Sequence, residues 1–118
     1  MDQKELQTQV LDFERKRAQL MNVSGQKQQF QFQDKTLEKA IEELSKTKEE
    51  KVYKAVGNIL ILSPVKEVQK ELKDQKETIE VRVKTLEKQE EQLMDSLNKL
   101  KSGIEKATGQ KVEEADEE

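Results

Sequence analysis

Two apolar stripes spaced by threes and fours, separated by a short stretch where that spacing fails, constrain this chain more than any other feature. From Leu6 to Leu44 one helical face carries Leu6, Val10, Phe13, Arg17, Leu20, Val23, Lys27, Phe30, Asp34, Leu37, Ile41 and Leu44. Alternating threes and fours average the 3.5-residue repeat of a left-handed coiled coil. Two threes fall together at Arg17, Leu20 and Val23 and overwind the stripe locally. Ser24, Gly25 and a glutamine-rich run to Gln33 then dilute it, and a glycine inside a helix costs roughly 1 kcal/mol relative to alanine. The second stripe runs Val65, Val68, Leu72, Gln75, Ile79, Val83, Leu86, Glu90, Leu93, Leu97, Leu100, Ile104 and Ala107, with two fours together at Gln75, Ile79 and Val83.

Each stripe predicts a helix, over about residues 2–50 and 64–107. An amphipathic helix this polar gains most of its stability by burying its stripe. The connection between the two is short, so the chain is expected to fold back and pair its own arms as an antiparallel coiled coil. Residues whose numbers add to roughly 115 then lie side by side. Phe13 comes near Leu100 and Ile104, Leu20 near Leu93 and Leu97, and Lys27 towards Glu90. Charged seam residues of opposite sign at matching positions suggest a pair that sets the register.

Between the arms the periodicity becomes extended. Val52 to Val56 and Ile59 to Leu62 are rich in β-branched and aliphatic residues and flank Gly57-Asn58, the signature of a β-hairpin with a type II′ turn. Pairing Val56 with Ile59 and Tyr53 with Leu62 puts Tyr53, Ala55, Leu60 and Leu62 on one face, and Val52, Val56, Ile59 and Ile61 on the other. Both faces are apolar. A lone two-stranded hairpin is marginal in water, and exposed apolar edges invite association. The hairpin therefore predicts an oligomer assembled through these eight residues, against the simpler reading of a cap folded onto the helix ends. The fold class expected is mainly α: a long two-helix antiparallel coiled coil joined by one β-hairpin that enters an intersubunit β-barrel.

Composition excludes several functions. Charged residues make up 40% of the 118 and apolar ones 32%, too little for an ordinary globular core but enough for a narrow seam. With no cysteine and no histidine, thiolate nucleophiles, imidazole bases and the usual structural zinc sites are all ruled out. No phosphate-binding glycine loop is present. The sequence thus predicts no enzyme, no cofactor and no metal. Acidic and basic residues alternate to a net charge of −3, which leaves no basic stripe for nucleic acid. No apolar run reaches the ~20 residues of a membrane span, and Met1-Asp2-Gln3-Lys4-Glu5 lacks the order of a signal peptide. A cytoplasmic protein is expected, without nucleic acid or membrane among its partners.

The order helix, Val52-Tyr53-Lys54-Ala55-Val56-Gly57-Asn58-Ile59-Leu60-Ile61, then a heptad helix through Glu77-Thr78-Ile79-Glu80-Val81-Arg82 and Leu86-Glu87-Lys88-Gln89-Glu90, closely resembles prefoldin subunits of the β class. The likeness covers residues 1 to about 107. Its specific part is the Tyr-Lys-x-Val-Gly-Asn stretch with a single hairpin, where the α class has two. The resemblance implies a hexamer of two α-class and four β-class subunits with coiled-coil tentacles around a cavity. It also implies an ATP-independent holding chaperone that captures non-native polypeptides at the tentacle tips and passes them to a group II chaperonin. A structural or tethering coiled coil is the alternative.

On that reading the tip consists of the last seam layers, Leu6, Val10, Phe13, Leu100, Ile104 and Ala107, with Leu11 an extra apolar residue off the stripe. Fraying of these turns would display a weak but multivalent apolar surface. The plainer reading is that they close the coiled coil. Further in, with Met21, Val23, Phe30 and Phe32, the apolar residues also exceed what one seam uses, and Phe32 is a candidate for the cavity wall. Residues 1–108 make one unit, and the acidic run 109–118 has the composition of a disordered tail.

Overall fold

Helix α1, Gln3–Lys46, begins where Asp2 supplies a cap: its Oδ1 accepts the Glu5 amide at 2.8 Å. The computed structural model describes residues 2–110 and 112. After α1 come β1, Lys51–Val56, and β2, Ile59–Pro64, then helix α2, Val65–Thr108. Two long helices with a two-stranded antiparallel hairpin between them are therefore the fold, as the two stripes and the connector require. No helix among the described residues is long and apolar enough to cross a membrane.

α1 stops at Lys46, short of the residue near 50 that its stripe suggests. Thr47 Oγ1 accepts the Glu49 amide at 3.2 Å, and the Glu50 carbonyl accepts the Val65 amide at 2.9 Å. Residues 47–50 are thus spent in bringing the chain alongside β2. Ser63-Pro64 has the composition of a helix cap followed by a first helical residue, yet α2 starts one residue later, at Val65. Pro64 closes β2 instead, paired with Lys51, and the Ser63 hydroxyl points back to the Ile61 carbonyl at 3.4 Å. Pairs alternate between bonded and non-bonded outward from the turn, so Lys51–Pro64 falls at a non-bonded pair. A missing N–H there costs the ladder nothing.

The chain divides into two compact units, Met1–Lys27 with Thr85–Glu118, and Gln28–Lys84. In the first, the helices pack antiparallel around Phe13, Leu97 and Ile104, with Leu6, Val10, Leu20 and Leu100 against them. Each of the three buried side chains contributes roughly 1.5–3 kcal/mol. Lys27 Nζ lies 2.6 Å from Glu90 Oε1, so the two charged seam residues do meet as the sequence suggests, and the Ser24 hydroxyl donates to the other carboxylate oxygen. Burial alone would raise the Glu90 carboxyl; hydrogen bonds from Lys27 and Ser24, with the Lys27 charge, outweigh it and hold it below the ordinary carboxylate value. Gly109, at φ 70°, ends α2 by giving its amide to the Glu105 carbonyl. Val112 then folds back, its amide on Glu105 Oε2 at 2.8 Å and its side chain against the Phe13 cluster. The expected disordered tail lies, at Lys111 and beyond Val112, outside the described residues.

The second unit holds the hairpin and the helical turns beside it, with Val65 and Val68 buried. Arg82 stacks 5.7 Å from the centre of the Phe30 ring. Lys76 Nζ sits 3.3 Å from Asp34 and 2.6 Å from Glu80. Here the second stripe needs a correction, because Gln75 is exposed and Lys76 is the half-buried residue. The paired fours therefore fall at Val68, Leu72 and Lys76. The physical reason is that a lysine at this point meets two carboxylates while its stem covers apolar surface. Ala107, the last expected member of the stripe, is exposed too.

Candidate functional site

The hairpin has the register its turn dictates. Val56 faces Ile59, Ala55 faces Leu60, Tyr53 faces Leu62 and Val52 faces Ser63. Gly57 has φ 60° while no other hairpin residue has positive φ, which fits a type II′ turn. Side chains opposite one another share a face, so the two faces anticipated from the sequence exist. They differ in exposure. Tyr53 (70%), Leu60 (67%) and Leu62 (53%), with exposed Ala55, form a face with nothing over it. On the other, Val52, Lys54 and Ser63 are half-buried, and Lys54 reaches Glu71 of α2 at 2.7 Å. Val56, Ile59 and Ile61, on that same face, remain exposed. Seven of the eight hairpin residues named from the sequence are thus open to solvent, and Val52 is half-covered.

Exposed apolar side chains are concentrated here, and contiguous patches of this kind mark places where proteins associate. Helix α2 braces the hairpin from one side through the Lys54–Glu71 pair, and the Tyr53, Leu60 and Leu62 side is left uncovered.

The residues named for the tip fall into three classes of exposure. Phe13 and Ile104 are buried in the cluster, Leu6, Val10 and Leu100 are half-buried, and Leu11 and Ala107 are exposed. Gln3, Leu6, Gln7, Val10, Leu11 and Glu14 line a shallow groove along α1, where Leu6 and Val10 can be reached from solvent. Of Met21, Val23, Phe30 and Phe32, singled out as surplus, Met21 and Phe32 are exposed at 64% and 72%, while Val23 and Phe30 are half-buried in the seam. Sequence reasoning missed exposed Val81 and Met94, and the return of Val112 to the cluster. For Val112 a signal existed: a glycine C-cap is often followed by an apolar residue that packs back on the last turns.

A model of the family described as "Prefoldin subunit" matches residues 7–111. The "Prefoldin subunit beta" of Pyrobaculum neutrophilum is 40% identical over 105 residues, covering 88% of this chain and 83% of the relative. That of Archaeoglobus fulgidus is 42% identical over 92 residues, 77% of this chain and 79% of the relative. Among solved structures, the prefoldin beta subunit from Thermococcus strain KS-1 superposes with a TM-score of 0.82 at 33% identity, covering 87% of this chain and 91% of that one. Helix order, single hairpin and sequence agree, and the chain belongs to the prefoldin family of chaperone subunits, in its beta class.

Proposed function

We propose that this chain is a β-class subunit of an ATP-independent holding chaperone. Four copies join two α-class subunits through their hairpins. The complex holds non-native polypeptides at its tips and delivers them to a group II chaperonin in the cytoplasm. The observation that carries the proposal is the hairpin, whose Tyr53, Leu60 and Leu62 face is apolar and uncovered. A chain that only tethered through its arms would have no use for it.

Capture is assigned to Leu6, Val10, Leu11, Phe13, Leu100, Ile104 and Ala107. Leu11 and the groove beside it offer apolar surface at once, while Phe13 and Ile104 become available when the end turns open. Weak contacts of this kind gain strength from several arms acting on one client.

The test is suppression of aggregation of a denatured client, without ATP, by the chain mixed with a two-hairpin partner. The full chain is compared with one lacking residues 1–10 and 100–118. Protection lost on truncation with assembly retained places capture at the tips. Equal protection moves capture to the cavity wall, and absence of protection by either favours tethering.

A further inference from the structure

Val112, the only large apolar residue after α2, is held back onto its own unit by two kinds of contact. Its side chain packs against the cluster of Phe13, Leu97 and Ile104, and its amide donates to Glu105 Oε2 at 2.8 Å. Gly109 turns the chain at φ 70°, its amide closes on the Glu105 carbonyl at 2.7 Å, and the Gln110 amide donates to Thr108 Oγ1 at 3.2 Å. Those bonds already end the helix. The contacts of Val112 therefore serve the apolar cluster rather than the helix end, and they are partial, because Val112 stays half-buried.

What Val112 presents to its seat is one aliphatic side chain beside one backbone N–H. In a folded protein the N–H beside a buried aliphatic residue is already paired in a helix or sheet, whereas a non-native chain carries both free. We propose that Phe13, Leu97, Ile104 and Glu105 form a subsite for one aliphatic residue of an unstructured polypeptide, which Val112 occupies as an intramolecular stand-in. The use of this subsite rests on capture at the tip, as proposed above, and specifies its chemistry. A client residue displaces Val112, lays its side chain on the cluster and gives its N–H to the Glu105 carboxylate. Tethering makes Val112 a competitor at roughly millimolar effective concentration, so a lone apolar residue is kept out while a client held by several arms gains entry.

The test separates the seat from its use. The peptide acetyl-Gln-Lys-Val-Glu-amide, and the same peptide with N-methylvaline, are titrated into the full chain carrying Val112→Ser while the methyl resonances of Leu97 and Ile104 are followed. The plain peptide should shift them to saturation, and the N-methylated one should bind at least about five-fold more weakly, for want of the N–H that Glu105 accepts. The parent chain should bind the plain peptide about three-fold more weakly than the variant, because its seat is occupied. Absence of binding by the plain peptide, or equal binding of the two peptides, overturns the subsite. Should Val112→Ser lose its helical signal, Val112→Ala is titrated in its place under the same criteria. Assembled with a two-hairpin partner, Val112→Ser should bind a denatured client about three-fold more tightly than the parent. A client that slows amide exchange around residues 3–13 and 97–108, yet binds parent and variant equally, overturns the proposal alone. A client that binds without altering those amides overturns capture at the tip, while the peptide titration still decides the seat.

Discussion

Gln9 on α1 and Gly103 on α2 approach so closely that a Cβ on residue 103 would lie 3.3 Å from Gln9 Oε1, an oxygen that is buried without a hydrogen-bond partner. Gly25, also inside a helix, has nothing within 4 Å of the same position, and Gly57 has open space but a φ of 60°. The three glycines therefore respond differently to alanine. Gly25→Ala should stabilise by about 1 kcal/mol, the full helix preference. Gly103→Ala should gain less, because the end of the Gln9 side chain must swing aside. Gly57→Ala should lose about 1 kcal/mol, because its left-handed backbone penalises a side chain. Thermal unfolding of the three variants under one set of conditions gives the order.

The seam ion pairs make stability depend on pH at both ends of the scale. Glu90 has its carboxyl lowered in the folded chain, so its contribution is complete above the ordinary value of 4.5 and fades as pH falls through the folded value. Lys76 is raised above its ordinary 10.5, first by the hydrogen bond to Glu80 and, against burial, also by Asp34. Its contribution is present below 10.5 and is lost as pH rises through the folded value. Denaturant titrations should show Glu90→Gln less stable than the parent at neutral pH by at most about 1 kcal/mol, the two converging in acid. A gap that persisted well below the carboxylate range would assign the effect to packing.

Much of this architecture is legible in the sequence because coiled coils and hairpins are governed by local periodicity. Every α1 stripe position from Leu6 to Leu44 is buried or half-buried, including charged Arg17, Lys27 and Asp34. The hairpin register followed from two residues, Gly57 and Asn58, since a two-residue turn leaves one alignment. Choices between chemically similar neighbours were not legible. Gln75 and Lys76 are both polar, and Lys76 enters the seam because Asp34 and Glu80 are within reach, a fact of three dimensions. Seam membership likewise could not grade the tip, where Phe13 and Ile104 are covered and Leu6 and Val10 half-open. Gly103 reads as a weak helical residue until Gln9 is seen beside it.

The open hairpin face should be separable from the stability of the single chain. Leu60 is 67% exposed, so Leu60→Ser should change the stability of the isolated chain by no more than about 0.5 kcal/mol. Combined with Ile61→Ser it should abolish assembly with a two-hairpin partner while the helical circular dichroism is retained. Sedimentation of the mixture measures the first effect and far-ultraviolet dichroism the second. Loss of the helical signal as well would mean that the arms depend on the hairpin for their own stability.

Phe13 and Leu11 distinguish the two routes by which the tip can display apolar surface. Phe13 is buried against Leu97 and Ile104, and Phe13→Ala should cost about 3 kcal/mol within that unit. Leu11 is 55% exposed, and Leu11→Ala should cost little. Hydrogen exchange should then show faster exchange in Phe13→Ala for the turns around residues 3–13 and 97–108, with the hairpin amides unchanged. If capture depends on opening of these turns, Phe13→Ala still binds a denatured client as well as the parent, because more frequent display of Leu6, Val10, Leu100 and Ile104 offsets the loss of the Phe13 contact. If capture depends on surface already displayed, Leu11→Ala weakens it and Phe13→Ala does not strengthen it. Faster exchange spread evenly over both helices would instead mean that α1 and α2 open as one cooperative pair, and fraying of the tip would then contribute nothing to capture.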